Sequence, residues 1–195
     1  WRHIANCRTS GRQFMVMEVS SQALKYQRVE NLPFDVACFL NIGRDHISPI
    51  EHPTFEDYFE SKLRIFDQAK TAVVNLGTDE VNRVLEAAST AERLVTVGIE
   101  HPEASLWVSD VRMVGFNIEF NLHGLSADEP AAGEKILLGI AGDFNVENAL
   151  VAIAAAREIG IGIDAIKEGL SKFRVPGRME VVESKDGRVV CVVDY

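Results

Sequence analysis

Polar side chains with catalytic potential follow a mostly apolar run near residue 40. Residues 34–40 are rich in aromatic and aliphatic side chains, and the next six residues include Asn41, Arg44, Asp45 and His46. A nearly continuous apolar run of this length is typical of a buried strand in a parallel sheet. Ligands of open α/β sheets bind outside the carboxyl ends of the strands. The sequence therefore predicts a ligand-binding edge at residues 41–46.

Two further charged residues are candidates for the same edge. Glu18 ends the apolar run 14–19, which we expect to be another buried strand, and Lys62 lies on a predicted helix. A carboxylate at the end of a strand could hold Mg²⁺, which prefers oxygen ligands. Taken alone, Glu18 is equally consistent with a strand-end acid or a helix cap, and Lys62 with a solvated helix face. An Asp-His pair is also common, so the residues alone leave a metal and phosphate site as one of two interpretations.

Residues 142–148 form a glycine-bearing turn before an alanine-rich helix. The first turn of a helix presents free N–H groups and a positive dipole end, which favour an anion or a nucleotide. Asn145 and Asn148 add amide groups that could contact a base edge. These two residues could equally be simple helix caps.

The composition excludes several classes of protein. A formal net charge of −9 argues against general binding to nucleic acid or anionic membranes, and no apolar run approaches the length of a membrane span. The three scattered cysteines have no zinc-binding spacing and indicate a reduced, cytoplasmic protein. Neither a GxxxxGK[ST] phosphate loop nor a GxGxxG motif occurs in these 195 residues.

The elements that must position these residues alternate between strands and helices. Strands predicted at 34–42, 71–76 and 93–98 are separated by helices at 54–69 and 79–88, which indicates a parallel sheet with crossover helices. Residues 105–140 instead contain short alternating runs that predict an antiparallel meander. The pattern predicts the remaining elements as helices at 149–159 and 164–173 and a hairpin at 179–193.

Several segments, in the order found in the family, resemble motifs of the Mur ligases, the ATP-dependent amide-forming enzymes of peptidoglycan precursor synthesis. The chain is most similar to the tripeptide-synthesising members. The segments are 17–24 (MEVSSQAL), 40–46 (LNIGRDH), 55–66 (FEDYFESKLRIF), 142–148 (GDFNVEN), 175–180 (VPGRME) and 193–195 (VDY).

This resemblance implies an α/β fold of the P-loop NTPase type, in which a mostly parallel sheet is flanked by helices. Residues 1–195 would form part of the central ATPase domain, without its first strand and phosphate loop. Residues 105–140 would be an antiparallel β insertion, and 194–195 the start of a C-terminal domain. The chain is therefore expected to be a piece of a larger protein, whose other domains would be its partners.

The resemblance also implies residue roles. Glu18, His46 and Lys62 would hold Mg²⁺, with His46 and Lys62 catalytic and Lys62 carbamylated. A desolvated lysine amine is more readily neutral, and a neutral amine can take up CO₂. Two residues would contact a UDP-N-acetylmuramoyl-peptide, namely Ser20 and Arg28. Four would hold ATP, namely Asn145, Asn148, Arg178 and Asp194.

The implied reaction is transfer of a phosphoryl group from ATP to the peptide carboxylate, followed by attack of an amino-acid amine to give an amide. Two alternatives remain open at this point. Gln22, where the family has His, and the missing phosphate loop would suit a catalytically silent, nucleotide-binding domain. A related amide ligase of the folylpolyglutamate or cyanophycin type would share the architecture.

Overall fold

The computed structural model of the protein describes residues 2–44, 47–126 and 130–194. Its helices are α1 (Arg2–Thr9), α2 (Ser21–Lys25), α3 (Phe55–Leu63), α4 (Val81–Ala88), α5 (Phe144–Glu158) and α6 (Ile163–Lys172). Its strands are β1 (Phe34–Phe39), β2 (Ala69–Asn75), β3 (Arg93–Ile99), β4 (Leu106–Val114), β5 (Asn117–His123), β6 (Glu134–Leu138), β7 (Glu180–Glu183) and β8 (Val190–Val193).

The main sheet joins a parallel half to an antiparallel half, as the sequence predicts. Its order is β1-β2-β3-β4-β5-β6, with parallel pairing from β1 to β4 and antiparallel pairing from β4 to β6. Parallel neighbours usually need a connection of a dozen or more residues. The six residues between β3 and β4 suffice here because only Val97–Ile99 pair with β4, which then continues beyond the end of β3.

The central part of strand β2 is buried on both faces. In β2, Ala72 and Val74 pack into a cluster with α3 and α4, while Val73 belongs to a second cluster that includes residues of α5 and α6. Each of these three side chains has no exposed surface. Burial on both faces explains why residues 72–74 are apolar at successive positions rather than at alternate ones.

Helix α3 begins with a side-chain cap. The Thr54 hydroxyl accepts a hydrogen bond from the Asp57 backbone N–H at 3.1 Å, which satisfies one free donor of the first turn. The Phe59 and Tyr58 side chains are buried, and the helix continues as a 3₁₀ turn over Arg64–Gln68. The predicted helix at 54–69 is therefore confirmed, with a tighter last turn.

The strand predicted at 14–19 is wrong. Residues 14–20 have no regular secondary structure, and Phe14 and Val16 are 51% and 97% exposed. An apolar sequence favours burial, but a strand also needs neighbours that complete its hydrogen-bond ladder. Within the described residues, 14–19 pair with no strand, so their side chains remain outside the core.

The antiparallel half differs from the sequence prediction in one detail. The sequence predicts short runs here, but residues 106–114 form one nine-residue strand, β4, with a register irregularity between Ser109 and Arg112. Strands β7 and β8 pair as the predicted hairpin in a separate two-stranded sheet. None of the helices in the described part of the chain is both long and apolar enough to cross a membrane.

Candidate functional site

Lys62 lies where the sequence predicts polar chemistry, at the carboxyl end of β1. Its Nζ donates a hydrogen bond to the Asn41 carbonyl oxygen at 3.0 Å. The same atom lies 5.2 Å from the ring centroid of Phe39 and 5.4 Å from that of Tyr58. Because Tyr58 and Lys62 are four residues apart, they share one face of α3. The side chain is half-buried, so the helix delivers its amine to the strand end rather than to solvent.

Asn75, at the end of β2, connects three elements at the same edge. Its Nδ2 donates to the Leu40 carbonyl oxygen at 3.0 Å and to Glu147 Oε2 at 3.1 Å, and its Oδ1 accepts from the Gly77 N–H at 3.1 Å. The residue is 1% exposed, so these bonds replace its contacts with water. They hold the ends of β1 and β2 against the first turn of α5.

Asn75 and Glu147 were not among the predicted site residues. The sequence contains a signal for Asn75, because this polar residue follows the apolar run 72–74, just as Asn41 follows the apolar run 34–40. Glu147 gives no such signal, since it stands among ordinary first-turn residues of a helix. The position of Gly77 also favours glycine, because a Cβ there would lie 2.7 Å from Glu147 Oε1 and would collide with it.

The two predicted nucleotide-binding amides lie together at the start of α5. Asn145 Nδ2 donates to the Ala141 carbonyl oxygen at 2.6 Å, and Asn148 Nδ2 lies 3.4 Å from Asn145 Oδ1. The Thr78 hydroxyl, which follows β2 at this same edge, is buried and has no hydrogen-bond partner among the described residues. A helix start with amide groups and an unsatisfied buried hydroxyl fits a polar ligand such as a nucleotide.

Ser20 and Arg28 flank helix α2. The Ser20 hydroxyl caps the helix by accepting from the Ala23 N–H at 3.1 Å, and it keeps its own proton available for a ligand. The exposed Arg28 guanidinium lies 5.7 Å from the ring centroid of Tyr26. Glu18 precedes the cap in the irregular segment and is exposed.

Arg178 and Asp194 are brought together by the C-terminal hairpin. The pairing of Glu180 with Val193 places residues 178 and 194 at the same end of β7 and β8. Asp194 Oδ1 accepts a hydrogen bond from the Met179 N–H at 3.2 Å. Residues 178 and 194, which are sixteen positions apart in the sequence, therefore lie near each other at the open end of the hairpin.

A buried polar network lies between α2 and α3, and the sequence did not reveal it. His52 has no exposed surface, and its Nδ1 and Nε2 lie 2.6 Å from Asp57 Oδ2 and 2.9 Å from Ser21 Oγ. Lys25 Nζ donates to the same Asp57 oxygen at 2.6 Å and to the Glu51 carbonyl oxygen at 3.2 Å. These hydrogen bonds, from Lys25 first and then from His52, lower the pKa of Asp57.

The sequence matches the Mur ligase middle domain family over residues 2–156. The chain belongs to the Mur ligase family. It is 38% identical to a UDP-N-acetylmuramoyl-L-alanyl-D-glutamate–L-lysine ligase of Streptococcus sanguinis, over 98% of this chain and 37% of that protein. It is 37% identical to a UDP-N-acetylmuramyl-tripeptide synthetase of Bifidobacterium longum, over 100% of this chain and 38% of that protein.

The fold of this Mur ligase domain also matches a solved structure. A UDP-N-acetylmuramoyl-L-alanyl-D-glutamate–2,6-diaminopimelate ligase superposes with a TM-score of 0.82 and 27% identity, over 96% of this chain and 38% of that one. This match confirms the predicted α/β class. The chain spans less than two-fifths of the length of these relatives.

The predicted metal ligands of the Mur ligase domain include a residue outside the described part of the chain. His46 and its neighbour Asp45 lie outside that part. In the ranges 2–44, 47–126 and 130–194, no group of three His, Cys, Asp or Glu side chains is close enough to hold a metal ion. Lys62 as an unmodified cation would also repel Mg²⁺. The described residues therefore fit a nucleotide but do not by themselves fit Mg²⁺, and the set Glu18, His46 and Lys62 stays a prediction.

Proposed function

We propose that the full-length protein containing this domain is an ATP-dependent ligase of peptidoglycan precursor synthesis. It would join the terminal carboxylate of a UDP-N-acetylmuramoyl-peptide to the amine of an amino acid. The observation that carries the proposal is the position of Lys62, which α3 holds at the end of β1 beside Asn41 in a domain of this family. The names of the relatives support the substrate class, since both act on a muramoyl-peptide.

ATP would bind at the start of α5 and at the C-terminal hairpin. Asn145 and Asn148 place amide groups at the N-terminal end of α5. The free backbone N–H groups at that end attract negative charge. Arg178 would neutralise charge on the phosphates, and Asp194 would contact the ribose. When bound, ATP supplies the phosphoryl group that converts the peptide carboxylate into an acyl phosphate, a better acyl donor for the amine.

The peptide substrate would bind between α2 and the end of β1. Ser20 can donate its hydroxyl proton to a substrate oxygen, while its lone pair caps α2. Arg28 is exposed and carries a charge suited to an acidic peptide. We propose that Lys62 acts as a carbamate, whose oxygens would join Glu18 and His46 as ligands of Mg²⁺. Carbamylation would turn the amine at the end of β1 from a cation into an anion.

We further propose that the reaction takes place in the cytoplasm. All three cysteines, Cys7, Cys38 and Cys191, are free, which is consistent with a reducing compartment.

Ligation by the full-length protein tests this function. The purified protein is incubated with ATP, Mg²⁺, a UDP-N-acetylmuramoyl-dipeptide and either L-lysine or diaminopimelate. We expect the release of ADP to depend on both the dipeptide and one of the amino acids, and mass spectrometry to show a UDP-N-acetylmuramoyl-tripeptide. ADP release without a tripeptide, or no dependence on the muramoyl-peptide, would contradict the proposal.

A further inference from the structure

The side chains of Ser21, Lys25, His52 and Asp57 form a connected network between α2 and α3. His52 lies at the centre, and both of its ring nitrogens have partners. Because a carboxylate only accepts hydrogen bonds, the Nδ1 of His52 donates to Asp57. Lys25 donates to the same oxygen of Asp57. The order serine, histidine, aspartate is that of a hydrolytic triad, but a His52 ring without exposed surface leaves no room for a substrate.

The network connects the two elements that carry the proposed substrate and catalytic residues. Ser21 and Lys25 are the first and last residues of α2, whose cap is Ser20. Asp57 lies in the first turn of α3, and Lys62 lies in its last turn. The contacts between Lys25 and Asp57 and between Ser21 and His52 bridge 32 and 31 positions of the chain. They fix α2 relative to α3 from both ends of α2.

Helix α2 depends on such contacts for its position. A helix of five residues is far too short to be stable by itself, so tertiary contacts must hold it. Leu24 supplies one of these by burying its side chain, and the network supplies the polar ones. A buried polar network stabilises one arrangement when all its members are satisfied, because every alternative arrangement leaves a polar group unpaired.

We propose that His52 and Asp57 are positioning residues, which hold Ser20 at a set distance from Lys62 and thereby align the muramoyl-peptide with the reacting end of β1. This inference rests on the proposed function. Neither residue touches the substrate, and each acts through α2. The nucleotide residues lie on α5 and on the C-terminal hairpin, so the network governs the peptide side of the site and leaves the ATP side unchanged.

Steady-state kinetics of Asp57→Asn in the full-length protein test the proposal. The amide keeps the size of the side chain but removes the charge that Lys25 and His52 share. A misplacement of about 1 Å at a distance from the chemistry can cost roughly 10²-fold. We expect kcat/KM for the muramoyl-peptide to fall by between about tenfold and 10²-fold, while KM for ATP changes by less than about twofold.

Matched variants separate positioning from general stability. Asp35→Asn removes an ion pair with Lys70 in which both side chains are mostly exposed, so we expect wild-type kinetics. Lys25→Arg preserves the charge toward Asp57 and should retain most activity, whereas Lys25→Met should behave like Asp57→Asn. Hydrogen exchange should accelerate at the backbone amides of 21–25 in Asp57→Asn and remain unchanged in Asp35→Asn.

The outcomes distinguish this inference from the proposed function. If the wild-type protein does not ligate, the proposed function is overturned. If it ligates and Asp57→Asn keeps its kcat/KM for the muramoyl-peptide, or loses activity equally toward ATP, the positioning role is overturned. If Asp57→Asn does not fold, Ser21→Ala and Lys25→Met take its place, and wild-type kinetics in both would overturn it.

Discussion

We expect Phe59 to contribute strongly to the stability of α3, the helix that positions Lys62. Its side chain has no exposed surface and lies between the Phe55 ring, with centroids 5.8 Å apart, and the Arg83 guanidinium at 4.6 Å. Replacing a fully buried Phe with Ala removes apolar contacts and leaves a cavity, which costs about 3–5 kcal/mol. The loss of a stacked ring and a cation–π contact places Phe59→Ala in the upper half of that range. The melting temperature should fall by roughly 8–20 °C for a chain of this size.

Urea denaturation of the 195-residue chain, followed by circular dichroism, measures this effect. Phe116→Ala is the matched control, because its side chain is 41% exposed in the turn between β4 and β5. We expect the control to lower the free energy of unfolding by less than about 1 kcal/mol. The reasoning is refuted if Phe59→Ala costs less than about 1 kcal/mol, or no more than the control.

Three further predictions concern a cap, a carboxylate and a thiol. Thr54→Ala should lower the free energy of unfolding by about 1 kcal/mol, measured by urea denaturation, because it removes the cap of α3; no change would contradict the capping role. The pKa of Asp57 is lowered chiefly by Lys25, so its charged form stabilises the fold above the ordinary pKa of Asp, and that stability is lost as the pH falls through the folded pKa. The difference in unfolding free energy between wild type and Asp57→Asn should therefore shrink in acid, and a pH-independent difference would argue against the ion pair. Burial raises the pKa of Cys38 to about 11, so alkylation followed by mass spectrometry should label the exposed Cys191 at least about tenfold faster, and equal rates would count against this burial.

Most of the parallel half of the fold could be predicted from local sequence. The run that became β2 is apolar at successive positions because Ala72 and Val73 face opposite clusters. A short run of this kind is typical of a strand that is buried on both faces. The segment 14–19 is also mostly apolar, yet it forms no strand. The local sequence indicates that a segment tends to be buried, but whether it forms a strand depends on the neighbouring strands with which it can pair.

The candidate site was predicted less completely, because its contacts join distant segments. Lys62 could be proposed through its motif, and the structure adds that its amine reaches the Asn41 carbonyl. His52 stands in a loop between two prolines, where sequence gives no sign of burial. Its partners lie 5 and 31 positions away and become neighbours only when α2 packs against α3. Residue spacing cannot show such a contact.

The activity of Lys62→Ala in the full-length protein tests the central claim most directly. Lys70→Ala is the matched control, because that lysine is 60% exposed and its Nζ lies 2.8 Å from Oδ1 of the exposed Asp35. With saturating ATP, Mg²⁺, muramoyl-peptide and amino acid, we expect Lys62→Ala to form no detectable amide product. Lys70→Ala should ligate at the wild-type rate. Ligation by Lys62→Ala at the wild-type rate would contradict the claim that this amine, held at the end of β1, serves the reaction.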